Sequence, residues 1–274
     1  MRKLSQPFRS LFLFAALCAV WAPGQTARPG ANPVQAVLPT VSASSHIIPP
    51  APSFTFLNGQ TYVYAVEWHL FTAGTARVTL GIADGQEHVT ALADSAGVVN
   101  ALYKVHDHFE AWFDPHTACS QRVVKDAEEG SHARHTEVRL NYPQNKATLD
   151  EKNLKTGEQK HVDNDLAGCV TDVVSGFYYL ATLPLQPGNT YTFPVSDGGK
   201  TAEVKAVVET REQIKVPAGT FQTVRLKAEA ISGSLQGKGT VGVWFTDDAN
   251  HTPVQMRSKL GWGTLLFRLQ RIEK

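Results

Sequence analysis

The sequence has little net charge and no long hydrophobic run. Its 274 residues include 26 basic and 25 acidic side chains, which leave a formal charge of +1. Nucleic-acid binding depends on clustered lysine and arginine side chains that neutralise phosphates, so this composition argues against a nucleic-acid partner. It also argues against a protein held at a membrane by charge. The length suffices for one large domain or two small ones.

Acidic residues are absent from the first part of the chain. None precedes Glu67, whereas Arg2, Lys3 and Arg9 come before an apolar run of 12 residues, 11–22. A membrane-spanning helix needs about 20 apolar residues. A short apolar run behind a positively charged start is typical of a cleavable signal peptide. The sequence therefore predicts export, to the periplasm or the medium, with no transmembrane segment in the mature chain.

The predicted cleavage site lies just before Gln25, which makes residues 1–24 the signal peptide. Small residues precede this point, as signal peptidases require. The alternative is a lipoprotein that is modified at Cys18. That modification requires a small residue immediately before the cysteine, and Leu17 stands there instead.

Cysteine is scarce, and its three positions predict one disulfide bond. Export removes Cys18 with the signal peptide, so Cys119 and Cys169 remain. Two cysteines in an oxidising compartment usually form a bridge. A redox-active or metal-binding pair is the alternative, but the residues are 50 positions apart and the chain has no C-x-x-C motif. We therefore predict a disulfide between Cys119 and Cys169.

Proline is unevenly distributed along the chain. Seven of the 15 prolines lie within residues 23–53, together with alanine, serine, valine and glycine. Such a segment buries too little surface to offset the entropy that it loses on ordering. We predict a disordered or polyproline-like linker over 25–53, followed by a single β-rich domain over 54–274.

The predicted domain shows hydrophobic alternation with a period of two and is rich in β-branched and aromatic residues. One predicted strand, 61–71, places a row of large side chains on one face: Tyr62, Tyr64, Val66, Trp68 and Leu70. The pairs Ala73–Gly74 and Asp84–Gly85 are predicted turns that separate this strand from the next two. About a dozen strands are recognisable, and a sheet of that size must curl, close or split.

One segment has the pattern of an amphipathic helix. Thr171 or Asp172 is placed to cap it, and Pro184 ends it. Its apolar face consists of Val173, Val174, Phe177, Tyr178 and Leu180. A weaker helical or turn pattern covers 95–102. Together the patterns predict a mainly β fold, a strongly curved antiparallel sheet or incomplete barrel with one helix packed on the concave side.

The sequence contains no complete catalytic or metal-binding motif. His106 and His108 point the same way on a predicted strand, but they bind zinc only with a further ligand. The histidines that are candidates for that ligand are His116, His132 and His135. Ser175 follows Asp172 by three residues and lacks the Gly-x-Ser-x-Gly elbow of a hydrolase. We expect no metal, no cofactor and no catalytic residue.

Aromatic residues are the best candidates for a binding site. The predicted strand carries Tyr62, Tyr64 and Trp68 on one face, and the predicted helix carries Phe177 and Tyr178. A curled sheet plugged by one helix often encloses an apolar pocket. Ordinary core packing is the alternative interpretation of the same residues. We predict a hydrophobic ligand site between this helix and this strand.

Several blocks of sequence occur in the order that is found in a known family. They are Tyr62–Trp68 with the following Ala73–Gly74, Phe109–Asp114, Asp172–Leu185, Val216–Phe221 and Val243–Asp248. From about residue 60 onward the chain resembles the exported bacterial proteins of the DUF3108 family, a domain of unknown function. Ala181 stands where many relatives carry arginine. The resemblance implies an exported, β-rich domain akin to the curved-sheet carriers of lipids and lipoproteins, and it implies no established activity.

These expectations favour a noncatalytic protein of the bacterial envelope. The leading hypothesis is binding or carrying a hydrophobic ligand, or assisting envelope assembly, in the periplasm. The expected partner is a lipid or another apolar small molecule, or an envelope protein. The alternatives are a structural or protein-interaction module tethered by the proline-rich arm, and an unrecognised hydrolase. A cavity of several hundred cubic ångströms favours carriage, whereas a filled core with an exposed apolar patch favours interaction.

Overall fold

The computed structural model describes residues 45–68, 71–261 and 263–274. The predicted signal peptide and the first part of the predicted linker lie outside these residues. The described chain contains fifteen strands and two short helices, α1 (Gly97–Leu102) and α2 (Ser175–Thr182). The strands are β1 Gln60–Trp68, β2 Phe71–Ala83, β3 Gln86–Ser95, β4 Val105–Phe113, β5 Ser120–Glu129, β6 His132–Asn141, β7 Lys146–Asn153, β8 Gln159–Asp165, β9 Thr171–Asp172, β10 Thr190–Asp197, β11 Lys200–Val216, β12 Gly219–Ala230, β13 Gly239–Thr246, β14 Pro253–Leu260 and β15 Gly263–Glu273.

All fifteen strands of the described chain belong to one sheet. Its order is β8-β7-β6-β5-β4-β3-β2-β1-β15-β14-β13-β12-β11-β10-β9, and every neighbouring pair is antiparallel except β9 and β10. The sheet curls until the edge strand β9 approaches β5, where the amide of Ser120 donates a 2.8 Å hydrogen bond to the carbonyl of Val170. The sheet does not close. The predicted fold, a mainly β curved sheet or incomplete barrel with one helix, is confirmed.

Helix α2 packs against the inner side of the half of the sheet that contains β10 to β13. Its residues Tyr179, Leu180 and Ala181 are buried in one core with Phe193 and Phe245. The rings of Tyr179 and Phe193 meet edge to face, with 4.9 Å between their centres. Of the apolar face predicted from the sequence, Leu180 is buried in this core and Val173 and Phe177 pack against it, whereas the buried Tyr179 and Ala181 were not part of that prediction.

The N-cap residue of α2 is Val174 and not Thr171 or Asp172 as predicted, but the side chain of Asp172 does bind the start of the helix. Its Oδ1 accepts hydrogen bonds from the amides of Val174 (2.8 Å) and Ser175 (2.9 Å), two donors that a helix start otherwise leaves without partners. Its Oδ2 accepts the hydroxyl of Ser120 at 2.7 Å. Asp172 itself belongs to the short strand β9, so the helix begins three residues after its capping carboxylate. Pro184 lies two residues beyond the last helical residue.

The predicted turn at Ala73–Gly74 is wrong, because both residues lie inside β2. Strand β1 ends at Trp68 and β2 begins at Phe71. A Cβ at position 74 would lie only 2.0 Å from the carbonyl oxygen of Asp94 on the neighbouring strand β3. Glycine is required there by close approach of two backbones.

The second predicted turn, Asp84–Gly85, is confirmed. Both residues have positive φ angles, 53° and 75°. A two-residue hairpin that matches the twist of its strands requires this conformation, which is why an Asp-Gly pair predicts it well.

Contacts between the predicted linker and the domain begin before Phe54. The side chain of Ile47 is 8% exposed and packs in the core with Tyr179 and Leu180. The amide of Ile48 donates a hydrogen bond of 3.2 Å to the hydroxyl of Tyr179. The last part of the proline-rich segment therefore lies against α2.

The predicted disulfide between Cys119 and Cys169 is present, with 5.2 Å between the two Cα atoms. Cys119 lies in the turn between β4 and β5, and Cys169 lies just before β9. The bond therefore ties the segment that leads into α2 to the opposite part of the sheet.

Candidate functional site

Three cavities in the described structure border α2 or the residues just before it. We call them the aromatic, the apolar and the charged cavity. Their volumes are about 70, 150 and 400 Å³ respectively. Ligand pockets measure about 300–1,000 Å³, so of these three the charged cavity alone reaches that range.

The aromatic cavity lies where the sequence predicts the ligand site, between α2 and β1. Four of the five predicted residues line it: Tyr62, Tyr64, Phe177 and Tyr178. Trp68 is not part of its wall and packs against the core around β1. An apolar cavity of roughly 150 Å³ holds one benzene molecule, so the space of about 70 Å³ here has no room for an acyl chain unless α2 moves. The role of these residues in ligand binding stays a prediction.

Burial keeps the tyrosine hydroxyls of the aromatic cavity protonated. Loss of hydration raises the pKa of Tyr62, Tyr64 and Tyr178 above the ordinary value for tyrosine. Tyr64 donates its hydroxyl to the carbonyl of Pro253 over 2.8 Å, and Tyr62 donates to Gln60 over 3.0 Å. The Tyr178 hydroxyl has no hydrogen-bond partner within the described part of the chain.

The apolar cavity lies on another side of α2, between the helix and β10 to β13. Phe177 lines this cavity as well as the aromatic one, so its ring lies between the two. Most of the remaining wall is hydrocarbon, from Val173, Leu180, Phe193, Val195, Val204, Val241 and Val243. At about 150 Å³ the cavity has the size that holds one benzene ring in a protein core.

The charged cavity lies between β4 to β8 and the turn that joins β10 to β11. Its wall contains five apolar side chains, Phe109, Val123, Val138, Leu149 and Val173, and four cations, Lys125, Arg134, Lys160 and Lys200. It also contains three acids, Glu151, Asp172 and Asp197, and three hydroxyl groups, of Thr136, Ser196 and Ser234. The β10–β11 turn covers this space, since a Cβ at Gly199 would lie 3.2 Å from Nδ2 of Asn164 at the end of β8.

Strand register explains why these residues meet. Phe109 pairs with Lys125, Lys125 with Thr136, Thr136 with Glu151, and Glu151 with Lys160. Residues that pair directly lie on the same face of a sheet, so these five form one row across β4 to β8. The neighbouring row on that face is apolar and consists of Ala111, Val123, Val138 and Leu149. The two rows are two residues, or roughly 7 Å, apart along the strands.

The acids of the charged cavity have partners within the protein. Glu151 Oε2 lies 3.2 Å from a guanidinium nitrogen of Arg134. Asp197 accepts a hydrogen bond of 2.8 Å from the hydroxyl of Ser234, and burial raises the pKa of this carboxyl. Asp172 uses both oxygens to hold the start of α2 and Ser120. These carboxylates thus shape the cavity and leave little negative charge for a ligand.

Two further carboxyl groups are buried beside Lys125. Its Nζ lies 3.6 Å from Asp107 Oδ2 and 3.6 Å from Glu129 Oε1. Burial is the main reason why the pKa of Glu129 is raised to about 7; the neighbouring Asp107 adds to the shift and Lys125 opposes it. Burial also raises the pKa of Asp107. The two carboxyls therefore hold a proton close to neutral pH.

The two histidines considered as zinc ligands pair with acids on their own part of the sheet. His106 Nδ1 lies 2.6 Å from Asp94 Oδ1, and this hydrogen bond raises the pKa of His106. His108 Nε2 lies 3.7 Å from Glu110 Oε1. In the described ranges, no three His, Cys, Asp or Glu side chains are arranged to hold a metal ion.

Ser175, the serine considered for a hydrolase, is buried at the first position of α2. Its amide donates to Asp172, whose other oxygen accepts from the hydroxyl of Ser120. Asp172 therefore binds two backbone amides and the hydroxyl of Ser120, and these bonds stabilise the start of α2.

The row of Phe109, Lys125, Thr136, Glu151 and Lys160, which we call the charged row, was not predicted from the sequence. Lys125 and Lys160 are far apart in the chain, and their neighbourhood follows from a register over five strands that no local pattern reveals. A usable signal was present, since Lys125, Thr136 and Glu151 interrupt the apolar alternation of their strands. Polar residues at inward positions of several successive strands indicate a polar interior.

Comparison with protein families gives a match over most of the domain. The model of DUF3108, a protein of unknown function, matches residues 63–270. The chain belongs to the DUF3108 family. The five sequence blocks therefore identified the family correctly. Among curated proteins, none matches this chain.

One solved structure similar to this DUF3108 protein supports the fold. A β-barrel-like protein with a domain of unknown function, DUF1849, from Brucella abortus has a TM-score of 0.56 and 8% identity. The match covers 84% of this chain and 99% of that one, so the two share a fold. A protein from Bacteroides fragilis described as exported, with a YmcC-like fold, has a TM-score of 0.32 and 11% identity, over 81% of this chain and 98% of that one. Among the described residues, no helix has the length and apolarity needed to cross a membrane.

Proposed function

We propose that this DUF3108 protein is an exported, noncatalytic carrier that binds an apolar molecule on the inner side of its curved sheet. One observation carries the proposal. Asp172 and Val173 belong to the walls of both the charged and the apolar cavity, so cavities of about 400 and 150 Å³ lie on either side of one short segment. The volume of the charged cavity, about 400 Å³, is in the range of small-molecule pockets.

A cavity of this size favours a bound ligand. Protein interiors are packed as densely as organic crystals and contain few voids larger than a water molecule. Side chains that border a void lose the dispersion contacts that packing would supply. An apolar ligand restores these contacts along Val173, Phe177 and Leu180, which face the apolar cavity.

The periplasm is the compartment that we propose for this function. Residues 1–24 have the pattern of a signal peptide, and the Cys119–Cys169 bond is of the kind that persists in oxidising compartments. In that setting the ligand is a lipid or another apolar molecule of the envelope, carried by the folded domain.

Native mass spectrometry tests the proposal directly. The protein, produced from the full-length sequence and purified from the periplasmic fraction, should carry a bound apolar molecule that is released on unfolding. The variant Val173→Phe places a larger side chain between the two cavities and should lose this molecule. Ile82→Phe is the control, because Ile82 is 68% exposed and lines none of the three cavities. A wild-type protein without any bound molecule, and without affinity for added lipid, contradicts carriage and favours the tethered interaction module.

A further inference from the structure

We propose that the ligand is an anionic amphiphile, a molecule with an apolar chain and one carboxylate or phosphate group, whose anionic end binds Lys160 and Lys200 in the charged cavity. This inference rests on the proposed function, because it names the class of ligand for the same cavities.

Lys160 and Lys200 differ from the other two cations of the cavity. Arg134 already pairs with an acid of the charged row, and Lys125 lies between two buried carboxyl groups. Neither Lys160 nor Lys200 forms an ion pair with any residue that the structure describes, and both line the cavity. Two ammonium groups are therefore available to one anion, a pairing that makes strong, charge-assisted hydrogen bonds.

The acids opposite these lysines in the sheet have other hydrogen-bond or ion-pair partners. Glu151 is opposite Lys160 across β7 and β8, and its carboxylate binds Arg134. Asp197 is opposite Lys200 across β10 and β11, and its carboxyl accepts a hydrogen bond from Ser234; burial raises the pKa of Asp197, and the charge of Lys200 opposes this shift. The cavity wall thus carries four cations against three acids.

The apolar part of the ligand has a wall of its own. Val123, Val138 and Leu149 line the same cavity one row away from the charged residues, and Val173 lines both this cavity and the apolar one. A free inorganic anion would leave these side chains against water. A wholly apolar ligand would make no use of Lys160 and Lys200, which are both exposed to solvent at this cavity and can be reached by an anion. A ligand with both parts satisfies both walls.

The test compares three probes that separate charge from chain. They are dodecanoate, dodecanol with the same chain and no charge, and inorganic phosphate with charge and no chain. Equilibrium dialysis against the protein from the full-length sequence, at low ionic strength, gives the affinity for each. The test variant is Lys160→Gln with Lys200→Gln, and the rescue variant carries arginine at both positions. The control is Lys152→Gln with Lys155→Gln, which removes the same charge from two exposed lysines that line none of the three cavities.

We expect dodecanoate to bind at least about tenfold more tightly than dodecanol. The double glutamine variant should lose about tenfold in dodecanoate affinity and keep its affinity for dodecanol, whereas the arginine and control variants should bind as the wild type does. Thermal unfolding midpoints of all variants verify that the fold is kept.

Three results overturn this inference in distinguishable ways. If dodecanoate and dodecanol bind with equal affinity, and the glutamine variant does not change it, the ligand needs no anionic group. The proposed carrier function is then still supported. Phosphate that binds as tightly as dodecanoate and depends on the two lysines identifies a site for a free anion instead of an amphiphile. Absence of binding by both chain-bearing probes contradicts the proposed function itself.

Discussion

Replacing Gly74 with alanine should destabilise this protein strongly, whereas replacing Gly81 with alanine in the same strand should not. A Cβ at position 74 would lie 2.0 Å from the carbonyl oxygen of Asp94 and 3.1 Å from Cα of Ser95. The obstacle is backbone of the paired strand, so no side-chain rotation relieves it. A Cβ at position 81 meets no atom within 4 Å.

The expected magnitudes follow from overpacking and from chain entropy. Forcing extra carbon into a packed site costs about 1–3 kcal/mol, and a backbone obstacle places Gly74→Ala near the upper end, about 3 kcal/mol. Glycine-to-alanine replacement also restricts the unfolded chain, which stabilises the folded state by about 0.5 kcal/mol where the conformation allows it. We expect a net loss of about 2.5 kcal/mol for Gly74→Ala and a gain of about 0.5 kcal/mol for Gly81→Ala, a difference of about 3 kcal/mol between the two.

Urea unfolding of the oxidised protein, followed by circular dichroism, measures this difference. The slope of the free energy of unfolding with urea should be the same for both variants, so that a shift of the midpoint reports stability. A Gly74→Ala protein within 1 kcal/mol of the wild type, at an unchanged slope, would refute the close approach of β2 and β3. The Ala73–Gly74 pair would then belong to a turn, as the sequence alone suggests.

Three further outcomes are expected. Replacing both Cys119 and Cys169 by serine should lower the free energy of unfolding by up to about 4 kcal/mol, the value for opening a loop of about 50 residues, and reduction of the wild type should match it. Asp172→Ala should cost about 3 kcal/mol in urea unfolding, because two helix amides and a serine hydroxyl lose a charged acceptor, while Asp172→Asn should recover part of it. The pKa of Glu129 is raised from 4.5 to about 7, so the native state holds an extra proton between these values. Its contribution to stability should be complete below about pH 4.5 and lost as the pH rises through about 7, and Glu129→Gln should flatten this dependence.

Periodicity and capping were sufficient to predict much of the architecture. The alternation through Tyr62 and Tyr64 predicts a strand whose large residues share the inner face, and both are buried there. The helix that contains Phe177 follows from its apolar spacing and from Asp172. These features depend on neighbours within a few residues, and local patterns report such neighbours well.

Features that depend on distant partners could not be predicted in the same way. An Ala-Gly pair fits a turn and a close backbone approach equally well, and the position of Asp94 decides between them. Strand β8, Gln159–Asp165, is polar and exposed along most of its length, so it lacks the alternation that marks a strand. The row from Phe109 to Lys160 requires the register of four successive ladders, and a shift by one residue would turn every side chain to the other face.

The strand order has a consequence for how the chain folds. Strands β1 to β8 form one run of neighbouring hairpins and β10 to β15 another, and the two runs meet in the ladder between β1 and β15, the first and last strands. Each run is built from local contacts that form quickly, whereas the β1–β15 ladder joins residues about 200 positions apart, such as Val66 and Phe267, and must form late. Until then β1 is an unpaired edge that carries Tyr62 and Tyr64, and a long apolar edge invites pairing with another chain. Before this ladder forms, the strand that bears the aromatic wall is therefore open to aggregation with another chain.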